Sequence, residues 1–130
     1  MDSSLTPWAP RMLAILRIVT GLLFLEHGTQ KLFGFPPSEY SSPGLLSLMG
    51  VAGMLETVGG VLVVLGLLTR PVAFVLAGMM AVAYWMAHAP QSFFPVLNNG
   101  DAAILFCFVF LYLFVAGGGA WSIDAARAKS

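Results

Sequence analysis

Four long apolar stretches divide this chain: Met12 to Phe33, Leu45 to Leu68, Val72 to Ala89 and Ala102 to Gly119. Each is close to the ~20 residues that a helix rising 1.5 Å per residue needs to cross ~30 Å of hydrocarbon. The breaks between them are made of turn formers: a Pro- and Ser-rich loop from Phe35 to Gly44, the tight Thr69-Arg70-Pro71 turn, and a loop from Pro90 to Gly100 carrying Pro95, Asn98 and Asn99. No stretch alternates apolar and polar residues over a strand length, which argues against an outer-membrane barrel. The pattern predicts an all-α membrane protein, a bundle of four transmembrane helices in up-down topology, with residues 1–130 forming one domain.

Composition sharpens this picture. Of 130 residues 58% are hydrophobic and 9% charged, where a soluble domain carries about 25% charged residues. Six basic and six acidic side chains cannot cover a water-facing surface, so the partner implied is the lipid bilayer. The balanced charge gives none of the basic field that nucleic-acid binding requires, and no nucleic-acid partner is expected. Cys107 stands alone, too few for an intrachain disulfide or a CxxC pair, and between Phe106 and Phe108 it reads as a small hydrophobe. The seven methionines read as packing. The N-terminus lacks the basic start of a signal peptide, and its apolar run contains Arg17 and Glu26, so the first segment is expected to stay.

Orientation follows from Lys and Arg near the segment ends. Arg11, Arg70, Arg127 and Lys129 fall on one side and Lys31 on the other, which puts both termini in the cytoplasm. Trp8 and Trp121 would then lie at the cytoplasmic interface, with Tyr40, Trp85, Phe93 and Phe94 at the outer one.

Ionisable residues inside spans are costly and are functional suspects by default. Counting along the first helix, Arg17 lies ~8 Å in and Glu26 and His27 ~20 Å in, with Lys31 near the outer surface. The spacing of Arg17, Thr20, Phe24, His27 and Lys31 places them on one stripe. Glu56, the only charge of the second helix, falls near the midplane, and Arg17 is its expected ion-pair partner, either to fix helix register or to move protons. Gly50, Gly53, Thr57 and Gly60 beside it form a small-residue stripe that allows close helix approach. His88 reaches the height of His27, and the loop after it supplies Gln91, Asn98, Asn99 and Asp101, the last placed as N-cap of the fourth helix. Glu26, His27, Lys31, Glu56, His88, Asn98 and Asp101 are therefore the candidate ligand- or proton-handling residues. His27, Lys31 and His88 are expected to line one pocket opening outward, with Glu26 and Asn98 at its rim. Glu26 and His27 point ~100° apart and lack the i,i+4 geometry of a helical metal pair, so no metal site is expected. No phosphate loop, dinucleotide fingerprint or nucleophile elbow is present.

Arg17, the run His27-Gly28 with Lys31-Leu32-Phe33-Gly34, Glu56 with Gly59-Gly60, Gly66-Leu67 with Thr69-Arg70, His88 with Phe93-Phe94-Pro95, Asn98 and Gly100, and Trp121-Ser122-Ile123-Asp124 together resemble the DoxX family of small bacterial membrane proteins. The resemblance covers nearly the whole chain; only the Gly117-Gly118-Gly119-Ala120 turn departs from it, lacking a proline. It implies a four-helix protein of the bacterial inner membrane, in a family that includes membrane subunits of quinone-linked oxidoreductases and partners in thiol and oxidative-stress homeostasis.

The first functional expectation is therefore an inner-membrane subunit of an oxidoreductase system that binds a quinone or small redox partner near the outer face, since quinone reduction takes up protons and His titrates near neutral pH. No residue set to hold a haem, flavin or iron–sulfur cluster stands out, so electrons would come from a partner subunit, and the chain alone is not expected to be a complete enzyme. The alternatives are a non-catalytic scaffold anchoring a partner protein and a small transporter, which would have to work as a homo-oligomer.

Overall fold

The computed structural model describes residues 3–38, 44 and 46–129, and Tyr40 and Leu45 lie outside them. A short 3₁₀ turn, Thr6–Trp8, leads into α1 (Ala9–Phe33), followed by α2 (Leu48–Leu65) and α3 (Thr69–Ala83). A π-helical turn, Tyr84–His88, and a 3₁₀ turn, Ala89–Gln91, continue α3. The single-turn α4 (Pro95–Asn98), α5 (Asp101–Ala116) and the short α6 (Ile123–Ala128) complete the chain, with no strand among the described residues.

The helix ends follow local chemistry and correct several expected boundaries. Pro10 sits in the first turn of α1, where its missing N–H costs nothing. Ser47 caps α2 by accepting from the Gly50 N–H at 3.1 Å, so the helix starts at Leu48 rather than Leu45, and Gly66, at φ 68°, ends it at Leu65 rather than Leu68. Pro71 falls in the first turn of α3, so that helix starts at Thr69 rather than at Val72. Gly117, at φ 82° and ψ −170°, stops α5 at Ala116. The N-cap of α5 is Gly100, and Asp101 is instead its first helical residue, where a carboxylate still complements the helix dipole.

Three segments, Thr6–Phe33, Leu48–Leu65 and Thr69–Gln91, are long and apolar enough to cross a membrane. The expected fourth span is the shorter apolar α5, 16 residues or ~24 Å at 1.5 Å per residue, less than the ~30 Å of a hydrocarbon core.

The chain divides into two compact units, Met1–Thr69 with Gly118–Ser130, and Arg70–Gly117. In the first, α1 and α2 meet backbone to backbone. A Cβ at Gly28 would lie 2.5 Å from the Thr57 nitrogen, at Gly60 2.9 Å from the Leu25 Cα, and at Gly21 2.9 Å from the Val64 nitrogen. Helices surrounded by lipid gain little from burying apolar surface against each other, so this close approach is what binds the pair. In the second unit the Phe74 ring of α3 meets Phe114 of α5 at 5.1 Å between centroids.

Replacing Gly28 by Val should therefore cost about 1–3 kcal/mol through overpacking. Gly78→Ala, with nothing within 4 Å of the new Cβ, should be neutral or slightly stabilising. Thermal unfolding of the two variants in detergent or nanodiscs checks the contrast.

Candidate functional site

The buried face of α1 carries Ala14, Arg17, Thr20, Gly21, Phe24 and Gly28. It follows the expected stripe until its last turns, where Gly28 rather than His27 continues the three-and-four spacing. His27 is exposed, its Nδ1 2.7 Å from the Leu23 carbonyl one turn back, and Glu26 is exposed beside it. One turn beyond Gly28, Lys31 extends to α2 and its ammonium donates to both carboxylate oxygens of Glu56, at 2.9 and 2.8 Å. The Lys31 and Glu56 side chains retain 17% and 6% of their exposure. Gly53 makes room for this contact, since a Cβ there would press within 3.0 Å of the Lys31 Cβ. Thr57 donates its hydroxyl to the Gly53 carbonyl at 2.7 Å and adds no competing charge.

The expected Arg17–Glu56 pair is thus replaced by Lys31–Glu56. Arg17 is fully buried, and its guanidinium reaches carbonyls instead. Nη1 donates to Gly118 and, at 3.4 Å, to Ala120; Nη2 donates to Trp121 at 2.9 Å and to Val64 at 3.5 Å. Depth along the helix axis had suggested the carboxylate. The C-terminal segment returns to the α1 helix, with the Ala120 N–H donating to the Pro10 carbonyl at 3.1 Å, and brings a set of carbonyls closer. Gly119 at φ 75° and Trp121 at φ 52° supply the left-handed bends that turn those carbonyls inward.

Asp124 completes this clasp. Its two carboxylate oxygens accept from the Leu68 and Thr69 N–H groups, each at 2.8 Å, at the start of α3, and its own N–H donates to the Gly66 carbonyl at 2.9 Å. Burial pushes the Asp124 carboxyl up, but the N–H groups of Thr69 and Leu68 and the charge of Arg127 outweigh it and hold it below the usual carboxylate value. Sequence spacing assigned Asp124 no role. The signal for it was an acidic residue two positions after a capping Ser122, behind a glycine-rich turn.

In the second unit the π-helical turn brings Tyr84 and His88 into a near-parallel stack, ring centroids 6.3 Å apart and 25° between planes. His88 Nδ1 lies 2.9 Å from the Asn98 carbonyl. Asn98 is fully buried; its side-chain amide donates to the Ser92 carbonyl at 2.9 Å and to the Tyr84 hydroxyl at 3.2 Å, and its side-chain oxygen accepts from the Gly100 N–H at 2.8 Å. Tyr84, four residues before His88 and so on the same helix face, is a member of this network that was not among the candidate residues. Asn99 and Asp101 are exposed, and Gln91 donates to the Ala87 carbonyl at 2.7 Å. Among the described residues no group of three or more His, Cys, Asp or Glu is arranged to hold a metal ion.

The DoxX profile matches residues 12–89, and a Haemophilus influenzae "Uncharacterized protein" is 40% identical over 127 residues, 94% of this chain and 95% of its own length. The chain belongs to the DoxX family. An uncharacterized membrane protein of Mycobacterium tuberculosis is 30% identical over 141 residues, 92% of this chain and 83% of that protein. The Bacillus subtilis protein named "Putative oxidoreductase CatD" is 30% identical over 113 residues, 85% of this chain and 82% of its own. No solved structure gives a significant match. Family membership and the long apolar helices make this DoxX chain a membrane protein.

Two outcomes follow from these contacts. Lys31→Met leaves a buried carboxylate without its counter-ion and should destabilise by about 3 kcal/mol, while Lys31→Met combined with Glu56→Leu should recover most of the loss; chemical or thermal unfolding in detergent reads both. For Asp124, a folded value below the unfolded one means that its contribution is present above ~pH 4 and lost as pH falls through the folded value. Asp124→Asn should therefore cost about 1 kcal/mol at pH 7, with the gap from the unmodified chain closing towards pH 3 in the same unfolding measurement.

Proposed function

We propose that this DoxX protein is the bacterial inner-membrane component of a redox system, with both termini in the cytoplasm, working with a partner subunit that supplies electrons and handling a quinone or similar small redox molecule at the Lys31–Glu56 pair. The observation that carries this reading is the pair itself. Gly21, Gly28 and Gly60 already give α1 and α2 a close contact, and a helix contact alone does not call for two charges in the spans, each of which costs a few kcal/mol to insert. An ammonium beside a carboxylate offers a donor to a quinone carbonyl and an acceptor to a hydroquinone hydroxyl, the two hydrogen bonds needed by a molecule that gains or loses protons with its electrons. The name of the Bacillus subtilis relative favours the same class of activity.

The stability-matched double variant, Lys31→Met with Glu56→Leu, separates this role from folding. Purified in mild detergent from native membranes, the unmodified chain should carry quinone and a redox subunit, and the double variant should keep the subunit but lose the quinone and quinone-dependent electron transfer. A chain that binds a stable partner yet carries no quinone, with full function retained in the double variant, would make the protein a scaffold.

A further inference from the structure

His88 and Tyr84 are presented by their surroundings in opposite hydrogen-bonding senses. A carbonyl can only accept, so the 2.9 Å contact between His88 Nδ1 and the Asn98 carbonyl places a proton on Nδ1, and in the neutral imidazole this leaves the Nε2 lone pair as the acceptor. The Tyr84 oxygen accepts from the Asn98 amide at 3.2 Å, and that hydroxyl makes no other hydrogen bond among the described residues, so its own proton is available to donate. Asn98 cannot turn its amide over. Its oxygen takes the Gly100 N–H and its nitrogen serves two oxygens, and the flipped amide would set nitrogen against the Gly100 N–H and oxygen against the Ser92 carbonyl. Gly100 also clears the Tyr84 ring, which a Cβ there would approach to 2.5 Å.

We propose that His88 Nε2 and the Tyr84 hydroxyl form a second binding site, separate in residues from Lys31–Glu56, for a small aromatic molecule bearing a hydroxyl group. The ligand hydroxyl donates to Nε2, and a ligand oxygen accepts from Tyr84. The two rings are near-parallel and half-buried, so donor and acceptor are held by a rigid frame, which lowers the ordering cost of binding. Aromatic character in the ligand fits the exposed Trp85 ring, which stands edge-on to Tyr84 at 5.4 Å. Binding is a hydrogen-bond exchange and needs no electron transfer at this site. The proposal does not rest on the redox role of Lys31–Glu56.

The test uses the full chain in nanodiscs with ¹⁵N-labelled histidine. Tetramethylhydroquinone, kept reduced, serves as probe, and its dimethyl ether, which has the same ring and no hydroxyl, as control. The free protein should show His88 as the Nδ1-protonated tautomer. The hydroquinone should bind saturably and shift the His88 Nε2 resonance, and the ether should bind at least fivefold more weakly and leave it in place. Tyr84→Phe, which keeps the ring, should weaken the hydroquinone binding that shifts His88 about fivefold to tenfold, and that shift should persist in the Lys31→Met, Glu56→Leu double variant. An Nε2-protonated His88, equal binding of hydroquinone and ether, or no saturable binding would overturn the site. Saturable binding that leaves His88 unshifted and is lost in the double variant would move the ligand to Lys31–Glu56 and leave the redox reading standing.

Discussion

Backbone contact between α1 and α2 is the constraint on which the first unit depends. Gly21, Gly28 and Gly60 bring the two helices so near that a single added methyl would strike main-chain atoms. That distance sets everything reached across the interface. Lys31 can place its ammonium on Glu56 only because the facing position is Gly53, and Arg17 can touch the Val64 carbonyl because the helices stay close one turn from the α2 C-terminus.

Lipid supplies no hydrogen bonds, so every polar group inside the spans must find its partner within the protein. The charged groups of α1 and α2 answer that demand in two chemically different ways, with Arg17 Nε left without a partner among the described residues. Arg17 is surrounded by neutral carbonyls of the returning C-terminal segment, which disperse its charge over several dipoles and tie residues 118–121 to α1. Asp124 then uses the same segment to cap the start of α3. Lys31 and Glu56 neutralise each other directly. Carbonyl dipoles around an arginine make a clasp that has no proton to exchange, whereas an ammonium–carboxylate pair does. In the proposed function, that difference gives structure to the Arg17 end and chemistry to the Lys31 end.

The second unit reaches hydrogen-bonding specificity by another route. A π-helical turn, a single-turn helix and a left-handed Asn99 at φ 59° interrupt regular structure between α3 and α5. Irregular backbone close to a membrane is tolerated where its polar groups are satisfied locally, and Asn98 supplies that satisfaction from a fully buried position. The result is a histidine and a tyrosine held in defined orientations.

Much of this was legible in the chain itself. Apolar length predicted the helices, because hydrocarbon thickness dictates a residue count, but not their ends: α2 runs from the Ser47 cap to Gly66 rather than from Leu45 to Leu68, and α5 is capped by Gly100 rather than Asp101 and stops before Gly117 rather than at Gly119. The glycine stripe of α2 and the need of Glu56 for a partner on the first helix were also readable from spacing. Which basic residue would serve it was not. Depth along a helix axis ranks Arg17 and Lys31 only coarsely, and the choice was settled by the C-terminal segment, about a hundred residues away in sequence, folding its carbonyls onto Arg17. Likewise 3.6-residue periodicity could not say whether His27 or Gly28 continues the buried stripe, since the two differ by 100° around the axis and the close approach of Thr57 decides in favour of the residue without a side chain. The apolar helices and the inventory of polar groups were thus determined by sequence, because they depend on neighbours in the chain. The pairing of Lys31 with Glu56, the carbonyl clasp around Arg17 and the Tyr84–His88 stack were decided by tertiary structure, because each depends on how near a distant segment comes.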